Sequence, residues 1–184
     1  MRKILSTSVL LSLVCSGCLL NHVKHPPASI KNQLSNFHKI LKPDLLHRGG
    51  ALLIVPFSAG VGVAADDDLN KDALMIIRGM SRSLEKGNSP FKILDAHNAD
   101  TAELVIQGRI TQKNQIKNFL CRWMPGPREI LLGVSGQMID QKTGETIMLF
   151  THQGKSDLKN LDERKLAEKI GQDIGELILN HIQK

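Results

Sequence analysis

From residue 49 onward the chain alternates between two rhythms of apolar residues, one of period two and one of period 3.6. Ala51 to Phe57 is an unbroken apolar run closed by proline and phenylalanine, the pattern of a strand buried on both faces. A small-residue loop from Ser58 to Ala65 leads into Asp66, Asp67 and Asp68, after which Leu69, Ala73, Ile76, Ile77, Met80 and Leu84 recur at helical spacing. Gly87 and Asn88 supply the stop. Phe91 to Leu94 predicts a short strand and Glu103 to Thr111 a longer one, with Leu104, Ile106, Gly108 and Ile110 on one face. A helix between strands predicts a parallel pair. Arg128 to Asp140 alternates again, with Ile130, Leu132, Val134 and Met138 on one side, and Glu145 to His152 follows a turn at Gln141 to Gly144. That is a hairpin. Leu161, Leu166, Ile170, Ile174, Leu177, Ile178 and His181 then mark a second amphipathic helix, with Asp162 and Glu163 near its positive end. The expectation is a single α/β (α+β) domain over residues 49–184. Its mixed sheet has about five strands in the order β-α-β-β-β-β-α, with the helices packed on it.

The chain before residue 49 has a different character. Met1, Arg2 and Lys3 precede Ile4 to Val14, where only Ser6, Thr7, Ser8 and Ser12 are polar. This is the charged and apolar pair of an export signal, too short for the roughly 20 apolar residues of a membrane span. Val14, Cys15, Ser16, Gly17 and Cys18 follow, and they resemble the lipobox of bacterial lipoproteins. The resemblance implies cleavage after Gly17, diacylglycerol on the Cys18 sulfur and acylation of the new amino group. Cys15 stands where leucine is usual, and an ordinary signal peptide with a chance cysteine is the competing reading. Leu19 and Leu20, in place of a retaining aspartate, imply the outer membrane, with the domain in the periplasm or at the surface. Two or three acyl chains hold stably, since each buried methylene contributes about 0.8 kcal/mol. Residues 1–17 are thus read as signal peptide and 18–48 as a lipidated basic tether. Pro26, Pro27 and Pro43 punctuate it, with one weak helical turn around Leu34 to Leu41.

Cleavage would leave 167 of the 184 residues, enough for one domain with a proper core. The net charge of +6 would suit nucleic acid, but its distribution argues otherwise. Arg2, Lys3, Lys24, Lys31, Lys39 and Lys42 precede Asp44 with no acidic residue among them, which leaves 18 basic against 18 acidic residues from there on. The domain is neutral. The tether, with its four lysines and with His22, His25 and His38, either meets anionic head groups or is merely well solvated. His22 and His25 lack further metal ligands. With Cys15 removed and Cys18 acylated, Cys121 is the one remaining thiol, so no internal disulfide forms.

Three motifs offer chemistry and fall short. Gly60, Gly62 and Ala65 fit G-x-G-x-x-A between strand and helix, but three aspartates would occupy the helix start where pyrophosphate must bind. Asp66, Asp68, Asn70 and Asp72 match the front of a calcium loop, yet Lys71 replaces the turn glycine and Ile77 the closing glutamate. These acids read better as helix caps. Ser58 sits in a segment that resembles a nucleophile elbow without its first glycine, and His97, His152 and His181 are scattered. No cofactor, no metal and no catalysis is expected. One segment stands out, from Asn118 to Pro127. Its Phe119, Cys121, Arg122, Trp123 and Met124 either contact a partner or fold over the core end with Trp123 buried.

Three further segments carry a resemblance. Leu53 to Phe57, Ala102 to Ile110 and Ile139 to Glu145 are similar to the VxPF, AdlvieGrI and DxxTGE stretches of small envelope lipoproteins, a broad class that includes CsgG, LpoB and the amino-terminal domain of TolB. The likeness covers roughly residues 49–184 and implies a periplasmic α/β domain that binds other envelope proteins. The long membrane hairpins of the curli pore have no counterpart. The expected function is therefore a non-catalytic assembly, scaffold or secretion-apparatus component of the outer membrane. Its partners would be lipid through acylated Cys18 and other envelope proteins, with self-association left open and nucleic acid excluded. A small-molecule or peptidoglycan-related binding module is the alternative, and a hydrolase around Ser58 the third reading.

Overall fold

The computed structural model describes residues 36–115, 129–157 and 163–183. All lie in the second of the chain's two compact units, Met1–Gln33 and Leu34–Lys184. Cys18, most of the tether, Leu161, Asp162 and the segment holding Phe119, Cys121, Arg122, Trp123 and Met124 fall outside the described residues.

The described elements run β1 (Phe37–Ile40), α1 (Pro43–Arg48), β2 (Gly50–Ile54), β3 (Ser58–Ala59), α2 (Asp67–Lys86), β4 (Phe91–Leu94), a 3-10 turn (Ala96–Thr101), β5 (Leu104–Gln115), β6 (Glu129–Asp140), β7 (Thr146–Asp157) and α3 (Glu163–Ile182). The strands form one mixed sheet in the order β1-β7-β6-β5-β2-β4, with β3 paired to β5 beyond the end of β2. The expected parallel pair is present, because β2 runs parallel to β4 on one side and to β5 on the other. The expected hairpin is β6 and β7.

Seven strands replace the expected five, and the two additions have separate causes. Residues 37–40, expected in a linker with a helical turn, pair antiparallel with β7, and Pro43 opens a short helix instead of marking tether. Proline suits the first helical turn, where its missing N–H is no loss. The folded unit therefore begins well before Gly49. Lys39 and Lys42 belong to it, and Lys42 pairs with Glu145 at 3.1 Å. The second addition follows from Pro56. The apolar run stops being strand after Ile54, although the Val55 N–H still donates to the Ile106 carbonyl at 2.9 Å. Proline has no donor for the ladder, and pairing resumes only at Ser58 with Arg109.

The core lies on one face of the sheet, beneath α2 and α3. Leu104, Ile106 and Ile110 of β5, Ile130, Leu132, Val134 and Met138 of β6, and Ile76, Met80, Ile170, Ile174 and Ile178 of the helices are all buried. Asp66 caps α2 by accepting a hydrogen bond from the Leu69 N–H at 2.8 Å, and Asp67 and Asp68 lie in its first turn. The left-handed residue after α2 is Asn88, at φ 48°, not Gly87. The two helices touch through glycine: a Cβ on Gly79 would strike the Glu168 carbonyl, and one on Gly171 the Ile76 carbonyl. Small residues let helix backbones approach this closely.

A bulge shapes the far half of β5. The register slips between Ile110 and Gln112, so that Ile110 pairs with Val134 and Lys113 with Leu132. The extra residue, Thr111, turns Lys113 toward the helices. There its ammonium meets the buried Asp72 of α2 at 2.7 Å.

Candidate functional site

Cross-strand registers define what lies on the other face of the sheet. Arg109 pairs with Ser135, Ser135 with Thr151 and Thr151 with Phe37, while Gln107 pairs with Gln137 and Gln137 with Leu149. These residues alternate with the buried ones, so they point away from α2 and α3. They line an open groove of about 690 Å³. Pro56 and Ser58 close one end, where the Ser58 hydroxyl donates to the Gly108 carbonyl at 3.5 Å.

Two glycines form the floor. Gly108 pairs with Gly136 and Gly136 with Phe150. On the helix side a Cβ at Gly108 would collide with the Phe57 ring, and one at Gly136 with the Phe150 ring. The two rings fill that space with centroids 6.4 Å apart, in the usual range for tilted aromatic pairs. The VxPF and AdlvieGrI segments thus meet in space, through Phe57 on Gly108. Their role is to pack the sheet.

The third segment is a turn. The Asp140 carboxylate accepts from the Lys142 and Thr143 N–H groups, each at 2.9 Å, Arg48 approaches it at 3.5 Å, and Gly144 adopts φ 72°. The Thr143 N–H chiefly, with the Lys142 N–H, the Thr143 hydroxyl and the Arg48 charge, holds the Asp140 carboxyl below the ordinary aspartate range against the opposing effect of burial. DxxTGE reports hairpin chemistry.

The remaining sequence candidates disperse. Gly60 sits tight against the Ile110 backbone, its N–H donating to that carbonyl at 2.8 Å, and Gly62 takes φ 80° in the following turn. The glycines shape a loop. Asp72, the last acid of the calcium-like run, is the partner of Lys113. His97 lies in the 3-10 turn, His152 meets Asp173 of α3 at 3.3 Å, and the His181 ring lies 4.9 Å from that of His38. Among the described residues no three His, Cys, Asp or Glu side chains are placed to hold a metal ion. Ser58 opens into the groove, whose described lining contains neither histidine nor carboxylate, so no described groove residue offers it a base.

Sequence reasoning missed this groove. Its one visible trace was the outward set of β5, Val105, Gln107 and Arg109, whose partners come from strands far along the chain. Among the described lining residues Arg109 alone carries a formal charge, and it pairs with no carboxylate among the described residues. At the opposite end Phe37 is 51% exposed and Leu149 36% exposed.

The geometry defines a class: an α+β unit whose mixed sheet is covered by two long helices on one face and presents on the other a groove with no carboxylate among its described lining residues. No described helix is long and apolar enough to cross a membrane. No protein-family model and no curated protein matches the sequence. Solved structures do share the fold. PelC from Paraburkholderia phytofirmans, a dodecamer, aligns with TM-score 0.53 at 13% identity over 76% of this chain and 95% of that one. A variant of the same dodecamer in a second crystal form gives 0.54 at 14%, over 79% and 98%. Lipoprotein GNA1162 from Neisseria meningitidis aligns at 0.46 and 10%, over 70% and 97%. At such identities the likeness to PelC is one of fold.

Proposed function

We propose that this chain is a non-catalytic lipoprotein of the outer membrane, anchored through acylated Cys18, whose folded unit works in assembly or secretion by contact with envelope proteins, copies of itself included. The observation that carries the contact reading is the sheet face that no described element covers, where a half-exposed phenylalanine and an exposed leucine lie beside amides, hydroxyls and one guanidinium. Aromatic and arginine side chains dominate the energetics of protein interfaces. The anchor reading rests on the signal and lipobox residues from Met1 to Cys18. Self-association draws support from the fold shared with the PelC dodecamer.

Membrane fractionation tests the anchor. Wild type should sediment with outer membranes and Cys18→Ala should not do so as a mature form; a soluble wild type refutes it. Mass photometry of the detergent-extracted protein tests self-association, for which a purely monomeric distribution is the refuting result. A second reading, a small-molecule or peptidoglycan-related binding module, is favoured by the groove's volume of about 690 Å³, within the range of roughly 300–1,000 Å³ typical of ligand sites.

A further inference from the structure

The groove on the open face separates two chemistries along one line. Arg109, Ser135, Thr151 and Phe37 are register neighbours on four adjacent strands, and strands lie 4.7–4.9 Å apart, so about 14 Å separates the guanidinium end from the phenyl end. Arg109 offers up to five N–H donors in a planar fork that matches a carboxylate. With no acid in the described lining, the exposed guanidinium is open to an incoming carboxylate. The Phe37 and Leu149 end offers an exposed apolar surface. Between them Gln107 and Ser135 present an amide and a hydroxyl, which both donate and accept, and Gln137, whose amide oxygen accepts from the Thr146 hydroxyl at 3.4 Å, keeps its amide N–H groups for the groove. A peptide backbone needs the same.

We infer that the groove receives an extended segment of a partner polypeptide, with an acidic side chain on Arg109 and an apolar side chain on Phe37 and Leu149. An extended chain rises about 3.3–3.4 Å per residue, so two side chains four residues apart stand about 13–14 Å apart on one face and match the groove. The inference rests on the open face being a contact surface, and it specifies what that surface recognises.

Two fluorescein-labelled, amide-terminated peptides, Leu-Thr-Ser-Thr-Asp and its reverse, serve as probes in fluorescence anisotropy with the full chain in detergent. One of the two is expected to bind below about 1 mM. Lysine in place of the peptide's aspartate, or Arg109→Gln in the protein, should each weaken it about tenfold or more. Phe37→Ala should weaken the leucine peptide and leave an alanine-substituted peptide unchanged. Binding of neither peptide, equal binding of the lysine peptide, or full binding by Arg109→Gln would overturn the inference. So would displacement by inorganic phosphate with no dependence on the leucine, which would mark a site for simple anions. Arg109 is exposed, so Arg109→Gln should keep the wild-type urea midpoint, and this keeps a loss of binding distinct from a loss of fold. An envelope partner captured equally by wild type and Arg109→Gln would sustain the contact reading while removing this one.

Discussion

Gly171→Ala probes the closest approach in the fold. In a helix alanine is favoured over glycine by about 1 kcal/mol, so with free space around it the substitution would stabilise the protein. The structure leaves no such space. The new Cβ would overlap the Ile76 carbonyl oxygen and stand 2.9 Å from the Met80 nitrogen, both backbone atoms of α2. No rotamer change relieves a clash with backbone, so α2 and α3 must separate, loosening Ile76, Met80, Ile170 and Ile174, each 1% exposed or less. Overpacking of this kind costs about 1–3 kcal/mol. Taking the upper end and subtracting the propensity gain leaves about 2 kcal/mol of net destabilisation. For a unit of this size that corresponds to a fall in Tm of about 4–8 °C. Urea unfolding followed by circular dichroism measures it directly, with the midpoint expected to fall at constant slope. A midpoint equal to or above wild type would refute the close-contact argument.

Other sites allow equally direct tests. Lys113→Met removes the ammonium paired with the buried Asp72 carboxylate and should cost about 3 kcal/mol or more in urea unfolding, whereas Lys113→Met with Asp72→Leu should recover most of it; additive losses would contradict the pairing. Asp140→Asn removes a carboxylate whose pKa is lowered in the fold. Its contribution is therefore fully present above the unfolded aspartate value of about 3.9 and fades only as the pH falls through the lower folded value. The gap in urea midpoint between wild type and Asp140→Asn should be constant from neutral pH down to about 5 and close only at strongly acid pH; a gap that closes near neutrality would refute this. Asp66→Ala removes the α2 cap and should cost about 1 kcal/mol by the same assay, and no change would contradict the capping geometry.

How much could be read in advance depended on how local each signal was. Helices α2 and α3 and strands β4 to β7 were legible because long amphipathic segments state their own period, and the three aspartates were rightly read as a helix start. Strand β1 was not legible: Phe37, His38, Lys39 and Ile40 are too few and too mixed to show a period, and their place is set by β7, more than a hundred residues away in sequence. The bulge at Thr111 was hidden for a similar reason, since the slip is defined only against β6. The groove was the least visible of all. Its residues are polar or isolated apolar positions on several strands, each unremarkable alone, and only the shared register gathers Arg109, Ser135, Thr151 and Phe37 into a line. The lipoprotein-like motifs were legible as sequence, but their meaning was structural: Phe57 over Gly108, and a hairpin turn tightened by Asp140.

Strand β1 also has a mechanical consequence. It is the sheet's outermost described strand on the amino-terminal side, and the chain leading back to Cys18 enters the folded unit through it. Were Cys18 held in a membrane, as proposed, and the folded unit gripped by a partner, tension between the two would fall first on the Gln153 N–H bond to the Asn36 side chain, at 2.9 Å, and on the four-residue ladder between β1 and β7. It would fall next on the Leu41 and Lys42 N–H groups, which share the Ile147 carbonyl at 2.8 and 3.2 Å. That short ladder could yield before the core does. Peeling β1 away would lengthen the leash while α2, α3 and the central strands stay folded, so that the strand would act as a shock absorber between the anchor and its load.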